Sequence, residues 1–280
     1  MSIISAAQLS EIISNENLRI VDARFALSDS NAGLAAYKDA HIPNAMYVDL
    51  NADLSSEKTN PLLGRHPLPS AEQFSAVLSR MGITPQMHVV VYDQADAAMA
   101  ASRFWFLLRM AGHGHVSVLD GGMNAWLAAD YAVQNQEPQP IATHYPVHFQ
   151  ESMLVSTSEL KSLLANPAET VLLDARSAER FCGEVEPLDK KAGHIPSAKN
   201  RPFGLNMQAG FFKSPEQLHT EFTPLITGKT NIILSCGSGV TACHNALALS
   251  HAGIENYRLF APSWSGWVAD DENLVAVGDV

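Results

Sequence analysis

Cysteine is scarce in this sequence, which has three such residues among 280: Cys182, Cys236 and Cys243. An odd count of three is too small for a disulfide framework, and no pair has the Cys-x-x-Cys spacing of a zinc site. We therefore expect at least one free thiol, a reducing cytoplasmic environment, and no metal or other cofactor.

Positive charge is also in short supply. The chain has 18 Lys and Arg residues against 29 Asp and Glu residues, a formal net charge of -11. This balance argues against a nucleic acid or an anionic membrane as partner, but it leaves room for a small basic pocket. Long apolar runs and a basic N-terminal region are missing as well, so we expect no transmembrane segment and no signal peptide. With 46% hydrophobic residues, the chain can bury an ample core.

The two halves of the chain repeat one another. Matching segments occur in the same order in both halves: residues 5–9 and 156–160, 20–24 and 172–176, 41–43 and 194–196, 70–73 and 214–217, and 89–93 and 232–236. The nearly constant shift indicates two copies of one domain. The shift shrinks after residue 43, so the first copy has extra residues before residue 70, and residues 53–61 there predict an exposed loop.

Each copy alternates short apolar strands with helical patterns. This predicts an α/β fold in which a doubly wound parallel sheet carries helices on both faces. The copies would span residues 1–133 and 151–280. Residues 134–150, which include Pro138, Pro140 and Pro146, would link them. In such sheets, ligands bind beyond the carboxyl ends of the strands.

Cys236 lies at the end of an apolar strand, where a glycine-rich loop leads into a helix. The loop N–H groups and the positive end of the helix dipole would stabilise a thiolate, the form of cysteine that acts as a nucleophile. Asp93 occupies the same position in the first copy, and a carboxylate is a weak nucleophile. We therefore expect one active site in the second copy and a catalytically silent first copy.

These motifs resemble those of two-domain rhodanese-type sulfurtransferases. The resemblance is carried by Asp-Ala-Arg at 22–24 and 174–176, His-Ile-Pro at 41–43 and 194–196, and the loop Cys-Gly-Ser-Gly-Val-Thr at 236–241. The loop is most similar to that of 3-mercaptopyruvate sulfurtransferases. The resemblance implies two tandem rhodanese-like domains and a persulfide on Cys236. It also implies a substrate-binding loop, formed by Gly237, Gly239, Val240 and Thr241.

The same resemblance implies the partners and favours one donor. The donor is a small anion, and the acceptor is cyanide or a thiol, such as a small thiol or a thioredoxin-like protein. Thiosulfate sulfurtransferases typically carry Arg and Lys where this chain has Gly237 and Ser238, since cations there suit a dianion. A Ser238 hydroxyl, oriented by His66 with Asp49 or Asp53, suits the enolate that leaves from mercaptopyruvate. Mercaptopyruvate is therefore favoured, with thiosulfate as the alternative.

Arg180 is the residue that the resemblance assigns to the substrate carboxylate. Mercaptopyruvate enzymes usually carry a second arginine in the loop that follows. Here that loop, residues 183–193, has none. Lys190 or Lys191 is the nearest substitute, although an ammonium group cannot match the bidentate geometry of a guanidinium group.

Features shared by both copies are expected to be architectural. Arg176 has a counterpart in Arg24, and we expect each to pair with the aspartate two residues earlier. His41 and His194 likewise correspond, and we expect them to organise turns.

Two further interpretations have weaker support. A phosphatase with a cysteine loop at this position needs Arg at the sixth residue after the cysteine, and Ala242 stands there. A non-enzymatic tandem domain that binds a partner would have lost its nucleophile, and only the first copy has lost it.

Overall fold

The computed structural model of the chain describes residues 2–278. The chain forms two compact units, each assembled from several stretches: Met1–Ser56, Pro69–Gln150 and Ala209–Phe212 in the first, and Glu57–Leu68, Glu151–Gln208 and Lys213–Val280 in the second. Residues 57–68 belong by sequence to the first copy but pack within the second unit, and residues 134–150 pack within the first. Among the described helices, none has both the length and the apolar character that crossing a bilayer requires.

The first unit is built on a five-stranded sheet. Its strands are β1 (Ile3–Ile4), β2 (Leu18–Asp22), β3 (Ala45–Tyr47), β4 (His88–Tyr92) and β5 (Val116–Leu119). They are all parallel and lie in the order β1-β5-β4-β2-β3. The helices are α1 (Ala6–Ile12), α2 (Ala32–Asp39), α3 (Ala71–Arg80), α4 (Ala100–Met110) and α5 (Gly122–Ala128).

The second unit repeats this plan with a four-stranded sheet. Its strands are β6 (Thr170–Asp174), β7 (Lys199–Asn200), β8 (Met207–Gln208), β10 (Asn231–Ser235) and β11 (Tyr257–Leu259), while β9 (Phe211–Phe212) falls in the first unit. Its helices are α6 (Thr157–Leu164), α7 (Ala178–Cys182), α8 (Pro215–Ile226), α9 (Thr241–His251) and α10 (Ser263–Trp267). The parallel sheet has the order β11-β10-β6-β7. Short 3-10 helices span Pro61–Leu63, Glu151–Met153 and Phe203–Asn206. The predicted α/β fold class is confirmed.

The strand that precedes Cys236 lies inside this second sheet. β10 pairs with β6 on one side and with β11 on the other. Its residues Ile232, Ile233 and Leu234 are at most 2% exposed. A strand that is buried on both faces appears in the sequence as a continuous apolar run. Pairing with a neighbouring strand on each side fixes the position of its carboxyl end.

Local signals determine where several helices begin. Capping boxes open α1, α3 and α8. At Ser156 the hydroxyl accepts the N–H of Glu159 at 3.2 Å. The Glu159 carboxylate, however, pairs with Arg258 at 2.6 Å instead of closing the box.

The repeated arginines are architectural, as predicted. Arg176 Nη2 lies 2.7 Å from Asp174 Oδ2, and Arg24 Nη2 lies 2.7 Å from Asp22 Oδ2. Each Nη2 also donates to the carbonyl of the residue that precedes its His-Ile-Pro segment, at 2.8 and 2.6 Å. Both arginines are at most 5% exposed, so their charges are neutralised locally.

The repeated histidines also have equivalent surroundings. His41 Nδ1 lies 2.7 Å from Tyr37 O, and His194 Nδ1 lies 2.9 Å from Phe181 O. Each imidazole stacks on the aromatic ring of the same partner, with centroids 4.1 and 3.8 Å apart. The prediction that both histidines organise turns is confirmed.

Candidate active site

The sulfur of Cys236 lies within a tight loop between β10 and α9. Cys236 directly follows β10 and is 1% exposed. The Gly239 N–H donates to Cys236 Sγ at 3.1 Å, and Ser263 Oγ lies 3.9 Å from the same sulfur. A backbone N–H directed at the sulfur stabilises the negative charge of a thiolate.

The carbonyl groups of this loop are held by α10. The N–H of Trp264 donates to Cys236 O, and the N–H of Ser265 donates to Gly237 O, both at 2.9 Å. The N–H of Cys236 donates to Ser263 Oγ at 3.1 Å. Because its carbonyls are turned towards α10, the loop can present N–H groups to the sulfur, which is an arrangement that binds anions.

Gly239 is required by the shape of the loop. Its φ is +75°, and a Cβ there would lie 2.4 Å from Ala261 O. Val240, 2% exposed, caps α9, and Thr241 is the first residue of that helix. Cys243 is fully buried in α9, and its thiol donates to Gly239 O at 3.3 Å. Cys243 therefore packs as a small buried residue of this helix.

Ser238 and His66 lie together beside the cysteine loop. Ser238 Oγ is 2.8 Å from His66 Nδ1, and the two residues are 7% and 3% exposed. A histidine at this distance can take a proton from the hydroxyl or deliver one to it. The candidate carboxylates have contacts within the first unit: Asp49 accepts backbone N–H groups of its own loop, and Asp53 pairs with Arg80 at 2.8 Å.

Two guanidinium groups flank Gly237. A Cβ on Gly237 would lie 3.2 Å from Arg65 Nη2 and 3.5 Å from both Nη1 and Nη2 of Arg180. The space beside Gly237 is therefore bordered by two cations and by the loop that holds the sulfur. Guanidinium groups match the geometry of carboxylates and sulfonates, so this space suits a small anion.

Arg65 is the residue that sequence reasoning missed. It belongs to the segment 57–68, which packs on α10 of the second unit. The Arg65 N–H donates to Ser265 Oγ at 2.9 Å. The preceding Gly64 has φ +86°, and a Cβ there would lie 2.5 Å from Pro262 O. The available signal was that Arg65 is the immediate neighbour of the candidate histidine.

The lysines considered as substitutes for a second arginine have another partner. Lys190 Nζ and Lys191 Nζ lie 2.9 and 3.1 Å from the same oxygen of Asp271, an exposed carboxylate. That interpretation was wrong. The second cation beside Gly237 comes from Arg65, not from the loop 183–193.

Two carboxylates of that loop hold the guanidinium groups. Arg180 Nη2 lies 2.7 Å from Glu186 Oε1 and 3.4 Å from Asp189 Oδ2, and Arg65 pairs with Asp189 Oδ1. Burial acts to raise the pKa of Glu186, but hydrogen bonds from Arg180 and from the Leu188 N–H outweigh it and hold that pKa below its ordinary value. Burial raises the pKa of Asp189 above its ordinary value, against the opposing effect of Arg65.

The first unit has a carboxylate where the second has the thiol. Asp93 follows β4 and is 6% exposed, and its Oδ1 accepts the N–H groups of Ala97 and Ala95 at 2.9 and 3.1 Å. Burial, with Asp96 nearby, raises the pKa of Asp93 to about 7. The N–H groups of this loop therefore face a fixed carboxylate. No cluster of three or more His, Cys, Asp or Glu residues within 2–278 could hold a metal ion.

Comparison with known proteins identifies the family. The model of the rhodanese-like domain matches residues 5–129 and, again, residues 156–270. A Pseudomonas aeruginosa protein named as a 3-mercaptopyruvate sulfurtransferase is 41% identical over 280 residues, which cover 99% of this chain and 98% of that protein. A Mycobacterium tuberculosis protein named as a thiosulfate sulfurtransferase is 36% identical over 290 residues, covering 99% and 97% of the two chains.

A solved structure agrees with these matches. The crystal structure of SseA from Escherichia coli, described as a 3-mercaptopyruvate sulfotransferase with the rhodanese fold, has a TM-score of 0.82 and 31% identity, and it covers 94% of this chain and 99% of that chain. Both halves of the present chain match the same domain model, and the relatives are aligned over nearly their whole length. The chain therefore belongs to the rhodanese-like family and is a two-domain enzyme of the sulfurtransferase class.

Proposed function

We propose that this sulfurtransferase takes sulfur from 3-mercaptopyruvate and carries it as a persulfide on Cys236. The observation that carries this proposal is the 2.8 Å contact between Ser238 Oγ and His66 Nδ1 beside the cysteine loop. Loss of sulfur converts mercaptopyruvate into the enolate of pyruvate, which must gain a proton. A hydroxyl held by a histidine can supply that proton, whereas thiosulfate leaves as sulfite and needs none.

Arg180 and Arg65 bind the carboxylate of the donor in this proposal. Their terminal nitrogens approach the Cβ position of Gly237 to 3.5 and 3.2 Å. A carboxylate beside these nitrogens accepts hydrogen bonds from both guanidinium groups, and Gly237 has no side chain that would crowd it. The carboxylate and the thiol lie at opposite ends of mercaptopyruvate, so anchoring the first directs the sulfur towards Cys236.

The transfer is a single displacement. The Cys236 thiolate attacks the sulfur of mercaptopyruvate, an S–S bond forms, the C–S bond breaks, and the electron pair leaves on the enolate. The enolate takes a proton from the Ser238 hydroxyl, which regains one from His66. The backbone of residues 239–241, together with Gly237, cradles the outer sulfur of the persulfide, in the manner of an anion hole.

An acceptor then completes the turnover. A thiol or cyanide attacks the outer sulfur, which restores the Cys236 thiolate and yields a new persulfide or thiocyanate. No disulfide links the three cysteines, which favours a reducing cytoplasm where a small thiol or a thioredoxin-like protein is the acceptor. The first unit, with Asp93 in place of the cysteine, is catalytically silent in this proposal.

Thiosulfate is the second candidate donor. A relative that is 36% identical carries the name of a thiosulfate sulfurtransferase, and two guanidinium groups can also bind a sulfonate. Against this donor, the loop has Gly237 and Ser238 at positions where cations suit a dianion.

Steady-state kinetics with both donors tests the proposal. We expect kcat/KM to be at least about tenfold higher with mercaptopyruvate than with thiosulfate, which corresponds to about 1.4 kcal/mol in transition-state binding. Cys236→Ser should transfer sulfur from neither donor. A tenfold preference for thiosulfate would refute the assigned donor, and an active Cys236→Ser variant would refute the persulfide.

Ser238→Ala isolates the role of the hydroxyl. We expect it to lower kcat with mercaptopyruvate by about 10²-fold or more, the usual contribution of proton transfer, and to lower kcat with thiosulfate much less. Ser162→Ala, at an exposed serine of α6, is the control and should change neither rate. Equal losses with the two donors would contradict a proton-donating role for Ser238.

A further inference from the structure

Asp189 bridges the two guanidinium groups beside Gly237. One of its oxygens pairs with Arg65, and the other lies 3.4 Å from Arg180 Nη2. The Asp189 side chain is only 5% exposed. Both cations proposed to bind the donor are therefore already in contact with an internal carboxylate in this structure.

The charges around this point are balanced one for one. Three guanidinium groups contact three carboxylates: Arg65, Arg176 and Arg180, with Asp174, Glu186 and Asp189. A buried charge that loses its partner is strongly destabilising. A monoanion that enters this cluster therefore requires one negative charge to be neutralised, and a dianion requires two.

Asp189 is the carboxylate of this cluster that is best placed to be neutralised by a proton. Glu186 accepts hydrogen bonds from Arg180 at 2.7 to 3.2 Å and also the N–H groups of Leu188 and Asp189 at 3.0 and 3.2 Å. Asp189 is faced by Arg65 from the segment 57–68, by Arg180 from α7 and by Glu186 from its own loop. Burial raises the pKa of Asp189, whereas the pKa of Glu186 lies below its ordinary value. Asp189 therefore accepts a proton more readily.

We infer that Asp189 is the exchangeable counterion of this site: a substrate anion replaces it on Arg65, Asp189 takes up one proton from solvent, and this one proton balances the charge of a monoanionic donor but not that of a dianionic one. This inference rests on the proposed function, in which Arg65 and Arg180 bind the donor. Mercaptopyruvate carries one carboxylate, so one proton restores the balance. Thiosulfate carries two negative charges and leaves one without a partner.

Asp189→Asn in the full chain tests this inference kinetically. The amide keeps the shape of the side chain and removes its charge. Because the amide needs no proton to leave Arg65, we expect kcat/KM of the variant for mercaptopyruvate to exceed the wild-type value at least about tenfold at about pH 8, and the two values to converge as the pH falls. Asp189→Glu keeps the titratable carboxyl group and should keep the pH dependence of the wild type.

Asp271→Asn is the matched control. It also removes one negative charge, but from an exposed carboxylate that pairs with Lys190 and Lys191 of the same loop. The kcat/KM of this variant should stay within about twofold of the wild type at each pH, because exposed charges are screened. A pH dependence of kcat/KM that Asp189→Asn leaves unchanged, or that both asparagine variants alter equally, overturns the inference.

Titration calorimetry supplies a readout that needs no turnover. Pyruvate, a monoanion, and sulfate, a dianion, are titrated into the Cys236→Ser protein in two buffers of different ionisation enthalpy. We expect pyruvate to bind more tightly than sulfate and with proton uptake, and Asp189→Asn to abolish that uptake. Pyruvate binding without proton uptake, or sulfate binding at least as tightly, overturns the inference even if the asparagine variant fails to fold. The donor assignment is tested separately by the kinetics, so the two can fail independently.

Discussion

Gly237 offers a direct test of the proposed anion site, because a single methyl group would enter it. In Gly237→Ala the added Cβ would lie 3.2 Å from Arg65 Nη2 and 3.5 Å from two nitrogens of Arg180. Charge-assisted N–H···O contacts measure about 2.7–2.9 Å, so a methyl group this close to the guanidinium nitrogens would crowd an oxygen that accepts from them. We expect the bound donor to lose at least one hydrogen bond to a guanidinium group.

The size of the effect follows from that loss. A hydrogen bond to a charged group contributes about 1.5–3 kcal/mol, so kcat/KM should fall about 10- to 100-fold. The change should appear mainly in KM, because the carboxylate is bound in the ground state as well as in the transition state. The fold should survive: Gly237 is not among the glycines with positive φ, and the nearest atoms are the ends of long, flexible side chains.

The assay is the initial rate of thiocyanate formation from mercaptopyruvate and cyanide, measured over a range of donor concentrations. Gly204→Ala is the matched control, because a Cβ there meets nothing within 4 Å, and its KM should equal that of the wild type. Thermal melting of both variants checks the fold. An unchanged KM in Gly237→Ala, or an equal change in the control, would refute an anion site beside Gly237.

Two further substitutions give distinct expectations. Gly239→Ala should lower kcat by more than Gly237→Ala does and should also lower the melting temperature. The reason is that φ of Gly239 is +75° and the added Cβ would lie 2.4 Å from Ala261 O. A stable and fully active variant would contradict the loop geometry. Asp93→Asn tests how the pH affects the stability of the first unit. The pKa of Asp93 is raised from 3.8 to about 7, so its contribution to stability is complete below about pH 4 and is lost as the pH rises through about 7. Relative to Asp93→Asn, the wild type should therefore lose roughly 4 kcal/mol of unfolding free energy over that interval, measured by urea denaturation at several pH values. Identical pH dependence of the two proteins would disprove this.

The repeated features were predictable from the sequence because they depend on short-range interactions. The strand before Cys236 is an apolar run, the cap at Ser5 involves neighbouring residues, and Arg176 pairs with an aspartate two residues away. The internal repeat added a comparison within one chain. A residue present in both copies, such as His194, could be assigned to architecture, and one that differs, such as Cys236 against Asp93, could be assigned to chemistry.

The position of the segment 57–68 could not be predicted in this way. Residues 53–61 predicted an exposed loop of the first copy; Leu54 and Ser55 are buried, whereas residues 57–63 are exposed. The residues that follow are fixed by contacts with residues about two hundred positions away along the chain: Gly64 packs against Pro262, and the Arg65 N–H is accepted by Ser265. Neither contact has a signature in local sequence, so nothing in the sequence indicated that the segment packs within the second unit.

Arg65 shows why the absence of an arginine from the loop 183–193 is weak evidence against a function. A substrate carboxylate needs a cation at a place in space, and any segment that reaches the place can supply it. In the loop 183–193 of this chain, the available cations turn to Asp271, while Asp189 and Glu186 face the guanidinium groups. With Arg65 added from another segment, the charges in the cluster balance. In the proposed anion site, the loop therefore contributes the negative charges, and we expect the selectivity to depend on these carboxylates as much as on the arginines.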